Sequence, residues 1–173
     1  MQFIETIYHS PVGPIFLRAN SNALLELTFI STALPSSAAP SSHTESSISS
    51  HPPLALTVQW LDQYFSGHQP NFVPPFQLNV TPFTQRVLEI ASLVPFGSTM
   101  TYGEIAEIIA AERGLFKMSA RAVGSAMGRN PICLIIPCHR IIGANHHLGG
   151  YNGQTDRKRQ LLAHEGVDSA ALV

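Results

Sequence analysis

The sequence predicts an α/β protein of the α+β type, with a small N-terminal domain that has an antiparallel sheet and one helix, and a mainly helical C-terminal domain with a helix-turn-helix. Three observations predict this class. Apolar and polar residues alternate in three short segments near the start, apolar residues recur at helical spacing further on, and a proline-rich stretch over 68–80 separates the two patterns. We place the domains at residues 1–80 and 81–173.

Size and composition are typical of a soluble globular protein. The chain has 173 residues, of which 45% are hydrophobic, and this suits one compact domain or two small ones. It has no run of about 18 apolar residues, as a membrane span requires, and no export signal at its start. We therefore expect a monomeric protein of a reducing cytoplasm, with no membrane contact.

The N-terminal domain begins with three predicted strands. Residues 3–8, 15–19 and 24–30 alternate between apolar and polar side chains, and turn residues separate them. Three strands in series favour an antiparallel meander with one covered face. Residues 31–53 are dominated by Ser, Pro, Ala and Thr, so they cannot bury enough surface to offset the entropy of ordering. We expect a mobile loop there.

A helix that covers the sheet is predicted next. Its apolar residues are spaced four, three and four apart, and Gly67 marks its end. The face consists of Leu54, Val58, Leu61 and Phe65.

The C-terminal domain contains a predicted helix-turn-helix. A helix over 84–94 comes first, and Thr101 with Glu104 then forms a capping box that starts the next helix. Ser119 is placed to cap a third helix over 120–127, which is rich in Ala and Gly. The second and third helices, joined by a turn, resemble a helix-turn-helix.

The last predicted helix places an acid where it needs a partner. The helix covers 156–164, is expected to be capped by Thr155, and ends at Gly166 with Glu165 at its negative end. A carboxylate is disfavoured there by the helix dipole, so it needs a cationic or hydrogen-bonding neighbour. His139 is our candidate.

Positive charge is concentrated in one segment, although the net charge is −1. Residues 1–85 contain a single basic residue, Arg18, whereas residues 113–155 contain no acid and these bases: Arg113, Lys117, Arg121, Arg129 and Arg140. Such a patch is the usual footprint of a polyanion partner. The same charges would also suit an ordinary solvated face.

A reactive thiol is predicted at Cys138. The five mostly apolar residues 132–136 run into Pro137, so we predict a buried strand that stops just before the thiol. His139 and Arg140 follow, and a base and a cation beside a thiol favour the thiolate. The plainer alternative is that Cys138 is a small core residue, as most unpaired cysteines are.

Cys133 is the other cysteine of the chain. Its odd spacing from Cys138 puts the two side chains on opposite faces of the predicted strand, which argues against a disulfide. The spacing does not fit a zinc site either, so we predict no bound metal.

Several motifs, in order, resemble those of the O6-alkylguanine-DNA alkyltransferases, also called methylated-DNA–protein-cysteine methyltransferases. The similarity is strong over 81–167 and looser before, and it rests on Asn130-Pro131, Pro137-Cys138-His139-Arg140, Gly149-Gly150-Tyr151 and His164-Glu165-Gly166. It implies repair of double-stranded DNA, bound at the minor groove with the damaged nucleotide flipped out. An alkyl group would pass from O6 of guanine, with O4 of thymine as a further target, to Cys138 once per molecule and without a cofactor. In a eukaryote the nucleus would be the compartment.

The resemblance also implies catalytic roles. Cys138 is the nucleophile, and Glu165 orients His139, which takes the thiol proton through a water molecule. Tyr102 matches the tyrosine that donates a proton to N3 of the leaving guanine. Asn130 is expected to tie the recognition helix to the active-site strand.

Arg121 is expected to act on the DNA. A cation in the first turn of a helix opposes the helix dipole at a cost of roughly 0.3–1 kcal/mol, which a function would explain. In the family, the arginine of this Ala-Arg-Ala-Val-Gly pattern fills the gap left by the flipped nucleotide.

Five further residues are assigned to substrate binding by the resemblance. Tyr151 would pack against the extracted base, and the backbone of the loop containing Asn152 and Gly153 would donate toward O6. Cys133 would line the pocket. Arg140 would either hold the loop or contact a phosphate.

Two other functions are compatible with parts of the sequence. A non-catalytic DNA-binding regulator or damage sensor would use the same helix-turn-helix, but it would not need Cys138. A thiol hydrolase would use Cys138, His139 and Glu165, but it would not explain the basic helix.

Overall fold

A computed structural model gives the structure of these parts of the chain: residues 3–30, 51–151, 154–168, 170 and 172–173. They form two compact units, the first made of Met1–Leu78 with Pro131–Cys133 and the second of Asn79–Asn130 with Leu134–Val173. The domain boundary predicted at residue 80 stays a prediction, and the place of Pro131–Cys133 in the first unit was not predicted. The expected mobile loop lies outside the described residues from 31 to 50.

The first unit contains a three-stranded antiparallel meander, as predicted. The strands are paired in chain order, and their bounds are Ile4–Ser10 for β1, Gly13–Ala19 for β2 and Leu24–Phe29 for β3. Alternate residues of β2 point into the core, where Ile15, Leu17 and Ala19 are fully buried. The period of two in the sequence therefore marks the buried face of the sheet.

Helix α1, Pro52–Phe65, packs against β2 and β3. It starts with two prolines, which suit a first helical turn because the N–H groups they lack have no intrahelical partner there. Pro52 and Pro53 thus belong to the helix and not to the predicted loop.

The apolar face predicted for α1 is only half right. Leu54 and Leu61 are buried, but Val58 and Phe65 are half-buried. The rings of Trp60 and Tyr64, which stack with centroids 5.4 Å apart, occupy the core beside the buried leucines. Large aromatic side chains bury the most area, and this rotates the helix away from the face that spacing alone indicates.

Within the described residues, the second unit holds four α-helices: α2, Pro82–Ser92; α3, Tyr102–Glu112; α4, Ala120–Met127; and α5, Thr155–His164. Helix α2 begins two residues before the predicted start, because Pro82 occupies the first turn and Thr81 caps it. The hydroxyl of Thr81 accepts the N–H of Thr84 at 3.3 Å.

Helices α3 and α4 form the predicted helix-turn-helix. In the capping box, Glu104 accepts the N–H of Thr101 at 2.7 Å and Thr101 accepts the N–H of Glu104 at 3.1 Å. Ser119 caps α4 by accepting the N–H of Ala122. Both predicted caps are confirmed.

The predicted cap of α5 is wrong. Thr155 is already helical, and Gln154 precedes the helix without a side-chain capping bond. The C-terminal end agrees with the prediction, since α5 stops at His164 and Gly166 follows.

A short parallel pair of strands joins two parts of the second unit. Strand β4, Met100–Thr101, pairs with β5, Ile141–Ile142. Tyr102 follows β4 directly, and the segment Cys138–Arg140 ends directly before β5. The pairing therefore holds the predicted proton donor and the predicted nucleophile in neighbouring segments.

The buried strand predicted over 132–136 is wrong. The segment contains only single bridge residues, at Ile132, Cys133 and Ile136, and Ile132 pairs with Leu27. Between them, Leu134 adopts φ 69° in a turn. Pro131 has no N–H to donate to a ladder, and the left-handed residue reverses the chain before a strand can form. Because there is no strand, the two cysteines do not lie on its opposite faces, but both are free thiols.

In the described parts of the chain, no helix has the length and apolar character needed to cross a membrane.

Candidate active site

A tight turn delivers the thiol of Cys138 to the start of a short 3-10 helix, Cys138–Arg140. Pro137 has φ −82° and ψ 65°, and the N–H of Cys138 donates to the carbonyl oxygen of Ile136 at 2.8 Å. These values define an inverse γ-turn, in which the proline ring fixes φ. Cys138 is buried, so its protein neighbours decide how reactive the thiol is.

The side chain of Asn130 holds the same turn. Its Nδ2 donates to the carbonyl oxygen of Ile136 at 2.9 Å, so this oxygen accepts from both Asn130 and Cys138. Asn130 follows α4 and is buried, which makes its donor costly to leave unsatisfied. The contact expected between the recognition helix and the active-site segment is present, while its effect on the reaction stays a prediction.

The end of α5 sets the position of Glu165. Gly166 adopts φ 81°, its N–H donates to Ala163 at 3.0 Å, and the N–H of Val167 donates to Leu162 at 2.9 Å. This is a Schellman motif, which needs a residue without a Cβ at its left-handed position. Because the motif ends the helix at Glu165, the direction in which the carboxylate leaves α5 is fixed.

Three residues converge on the buried carboxylate of Glu165. His139 Nε2 lies 2.6 Å from Oε1. Arg140 donates from Nε to Oε2 at 2.8 Å and from Nη2 to Oε1 at 3.0 Å, and the N–H of Gly97 donates to Oε2 at 3.2 Å. The pairing with His139 was predicted from the sequence, whereas the pairing with Arg140 was not.

The charge on Glu165 decides where His139 carries its proton. Burial raises the pKa of the Glu165 carboxyl, but the hydrogen bonds from His139 and Arg140 and the positive charge of Arg140 outweigh burial, and the pKa falls to about 2. Complete burial lowers the pKa of His139 below its ordinary value, despite the opposing pull of Glu165. The imidazole is therefore neutral at pH 7. Since an ionised carboxylate can only accept, Nε2 carries the ring proton and Nδ1 carries the lone pair.

Arg140 is held inside the second unit. Besides Glu165, its guanidinium donates from Nη1 to the carbonyl oxygen of Val94 at 2.7 Å and lies 5.7 Å from the ring centroid of Phe96. Arg140 is buried. These contacts favour the first of the two predicted roles, holding the loop, over contact with a phosphate.

A buried cation, Lys158, lies on α5 near the thiol. Its Nζ donates to the carbonyl oxygen of Ile141 at 2.6 Å and lies 5.8 Å from the ring centroid of Tyr102. Burial lowers the pKa of Lys158 to about 8, and the negative charge of Cys138 partly opposes this. A positive charge close to a cysteine stabilises its thiolate form.

Lys158 was not among the residues predicted from the sequence. The signal that could have found it is spacing, because Lys158 precedes Leu161 by three residues, Leu162 by four and Glu165 by seven. These positions lie on one face of a helix, and all four residues are buried.

Tyr102 is the first residue of α3 and faces the predicted binding loop. Burial raises the pKa of its phenol, and the negative charge of Cys138 raises it further. Gly149 adopts φ 73°, and a Cβ at this glycine would lie 3.2 Å from Cε2 and 3.5 Å from the hydroxyl of Tyr102. Only glycine allows the loop to approach the phenol this closely.

Arg121, Tyr151, Asn152 and Gly153 were also predicted to bind the substrate, and the structure describes the first two of them. Arg121 is exposed on α4, whereas Val123 and Met127 on the opposite face are buried. Tyr151 is half-buried, and Asn152 and Gly153 lie outside the described residues.

Cys133 packs with the first unit. It is buried, and its N–H donates to the carbonyl oxygen of Leu27 at 2.8 Å. Its assignment as a pocket-lining residue stays a prediction.

Two models of one protein family match the chain. The 6-O-methylguanine DNA methyltransferase, ribonuclease-like domain, matches residues 3–78, and the 6-O-methylguanine DNA methyltransferase, DNA binding domain, matches residues 82–167.

The chain belongs to the 6-O-methylguanine DNA methyltransferase family. A relative named methylated-DNA–protein-cysteine methyltransferase from Mycobacterium leprae is 38% identical over 153 residues, which cover 88% of this chain and 86% of the relative. One of the same name from Sulfolobus acidocaldarius is 35% identical over 167 residues, or 96% of each chain. The crystal structure of Mycobacterium tuberculosis OGT in complex with DNA superposes with a TM-score of 0.76 at 34% identity, and covers 96% of this chain and 97% of that one.

In this member of the 6-O-methylguanine DNA methyltransferase family, the resemblance and the fold class predicted from the sequence are confirmed. The structure gathers Tyr102, Asn130, Cys138, His139 and Glu165 in the second unit. It adds Lys158 to that group as a neighbour of the nucleophile.

Proposed function

We propose that this protein repairs DNA by transferring an alkyl group from O6 of guanine to the sulfur of Cys138, once per molecule. The single observation that carries the proposal is the ion-paired Glu165, which holds His139 as a neutral base next to Cys138. We infer that Glu165 and His139 activate Cys138 as the thiol that accepts the alkyl group.

The reaction begins with removal of the thiol proton. Nδ1 of His139 carries a lone pair because Nε2 donates to Glu165. The proton of Cys138 passes through one water molecule to Nδ1, and the carboxylate stabilises the imidazolium that forms. Lys158 stabilises the thiolate, since its ammonium lies in the same buried surroundings.

Alkyl transfer is then a direct displacement. The thiolate attacks the alkyl carbon, a sulfur–carbon bond forms, and the bond between that carbon and O6 breaks. The electron pair of the broken bond stays with guanine, and Tyr102 donates a proton to N3 so that the base leaves neutral. The raised pKa of Tyr102 keeps the phenol protonated until negative charge develops on the base. The thioether is stable, so the protein acts once.

DNA must be opened for this reaction, because the target oxygen is buried in the duplex. An enzyme that works on a base rotates the nucleotide out of the stack, and a damaged pair opens at lower cost. We assign this step to α4, whose outward face is small and carries Arg121. A helix with small residues can approach the minor groove closely, and Arg121 would fill the gap in the base stack.

The protein is proposed to act as a monomer, in the compartment that holds the DNA. This is the cytoplasm of a prokaryote or the nucleus of a eukaryote.

The proposal is tested by the mass of the intact protein after mixing with a duplex that contains one O6-methylguanine. The expected result is a stoichiometric gain of one methylene unit, mapped to Cys138 and not repeated with fresh DNA. Cys138→Ser should gain nothing, and Cys133→Ser should gain as much as the wild type. Tight binding of the lesion without a gain in mass would instead identify a damage sensor. Acylation of Cys138 by an activated ester, with no transfer from DNA, would identify a thiol hydrolase.

A further inference from the structure

The turn between α3 and α4 presents a large aromatic side chain to solvent. Helix α3 ends at Glu112, and the N–H of Leu115 then donates back to the carbonyl oxygen of Ala110 at 2.8 Å, which closes the end of the helix. Phe116 has a relative exposure of 104% and Leu115 of 47%. Phe116 therefore contributes nothing to the core of its unit, and its ring is available to a partner.

A groove lies beside this turn. Its volume is about 1020 Å³, and its lining includes Phe116, Lys117 and Arg121. The α3 side of the groove carries the small residues Gly103 and Ala106, which leave room for a bulky occupant. Phe116 and Arg121, five positions apart, thus border one surface, and Arg121 is the residue to which we assign the opening of the base stack.

The charge around the groove suits a polyanion. Lys117 and Arg121 are exposed basic residues of the lining, and Glu107 is the acid that lines it with them. Glu112, at the end of α3, is already paired with Arg86. No acid occurs between residues 113 and 155. Lysine is depleted at protein–protein interfaces, whereas an aromatic ring in a positively charged groove is typical of a surface that binds nucleic acid.

We propose that Phe116 is a second DNA wedge that works next to Arg121, and that Lys117 binds a backbone phosphate of the same strand. The occupant of the groove is one strand of the duplex at the minor-groove side of the flipped nucleotide. Rotation of a nucleotide out of the stack exposes the faces of its neighbours, and a single arginine covers only part of them. An apolar side chain that enters a base step from the minor groove covers such a face and keeps the duplex bent. The inference rests on the proposed function.

The decisive experiment compares two substrates in single-turnover alkyl transfer. A duplex with one O6-methylguanine requires the DNA surface, whereas free O6-benzylguanine requires only the active site. Phe116→Ala should weaken binding of the duplex by roughly 5- to 150-fold, the range for loss of one base–aromatic stack. At limiting protein concentration, it should also slow alkyl transfer from the duplex. Transfer from the free base should be unchanged. Phe116→Trp should behave like the wild type, because it keeps an aromatic ring.

Two controls assign the effect to the wedge and to the phosphate contact. Leu93→Ala removes an apolar side chain that is 75% exposed at the end of α2, and it should change neither rate. Lys117→Ala should reduce the slope of log K against log salt by about 0.9, the value for one phosphate contact on B-DNA.

Fluorescence gives a direct measure of unstacking. A 2-aminopurine placed next to the lesion should become brighter when the wild type unstacks it, and the increase should be smaller with Phe116→Ala.

Several outcomes would overturn the inference. If Phe116→Ala bound the duplex and accepted the alkyl group as well as the wild type, Phe116 would not be a DNA wedge. An equal loss on the duplex and on the free base would place the effect of Phe116 in the active site or the fold. Unchanged DNA binding with lost self-association in sedimentation would make the turn a protein contact. Failure of the wild type itself to methylate Cys138 would instead contradict the proposed function, so the two failures are distinguishable.

Discussion

Replacement of Glu165 by glutamine removes one negative charge from a buried site and leaves its shape almost unchanged. In the wild type the carboxylate pairs with Arg140 and accepts from His139. The substitution leaves Arg140 buried without a counter-charge, which typically costs about 3–5 kcal/mol of folding free energy. We expect urea denaturation of Glu165→Gln to show a loss of that size.

The pH dependence of stability gives an independent estimate. The pKa of Glu165 is lowered from 4.5 to about 2 in the folded protein. At 1.36 kcal/mol per pKa unit, this stabilises the folded state by about 3 kcal/mol. Because the folded pKa is the lower one, the stabilisation is complete above pH 4.5 and is lost as the pH falls toward 2. The stability of Glu165→Gln should therefore depend less on pH in this window.

Activity should fall for a separate reason. A glutamine amide can both donate and accept, so it no longer holds the proton of His139 on Nε2. We expect alkyl transfer to slow by roughly 10²- to 10⁴-fold, the usual contribution of a positioned base. Glu165 also raises the pKa of His139, so its loss should move the acid limb of the rate profile to lower pH.

A double substitution separates the two effects. Glu165→Gln combined with Arg140→Met removes both charges, so no buried ion is left without a partner, and much of the lost stability should return. The transfer rate should stay low, because His139 still lacks its carboxylate. A double variant that recovered its rate together with its stability would refute the relay, and so would a single variant that kept the wild-type rate and pH profile.

Two further predictions concern neighbours of the thiol. Lys158→Met should slow alkyl transfer about tenfold or more, the effect of one unit of thiol pKa. The pKa of Lys158 falls from 10.5 to about 8 on folding, so the unfolded state binds more protons than the folded state between pH 8 and pH 10.5. The free energy of unfolding of the wild type should therefore rise with pH over this range. Denaturation measured at several pH values should show no such rise in Lys158→Met. Asn130→Ala should lower the free energy of unfolding by about 1–3 kcal/mol, because it removes a buried hydrogen bond to Ile136. Ser125→Ala, on the exposed face of α4, is the matched control, and an equal loss in both variants would contradict this role of Asn130.

Local patterns in the chain were sufficient for most of the secondary structure. The meander, the capping box at Thr101 and Glu104, and the outward face of α4 all follow from periodicity and from hydrogen bonds between residues a few positions apart. The pairing of His139 with Glu165 was also predicted, because an acid at the end of a helix needs a partner. The apolar run over 132–136 wrongly predicted a strand, since apolar runs do not reveal a left-handed turn such as the one at Leu134.

By itself, then, the sequence determined the fold class and the helix-turn-helix, and it predicted Cys138 as the nucleophile and the pairing of His139 with Glu165. The tertiary structure alone decided that Arg140 faces Glu165 inside the second unit and that Lys158 is buried beside Tyr102. The physical reason is that a charged side chain in a sequence could equally face solvent. Which charges are buried, and against which partners, depends on segments that come together only when the chain packs, and burial is what changes their pKa values.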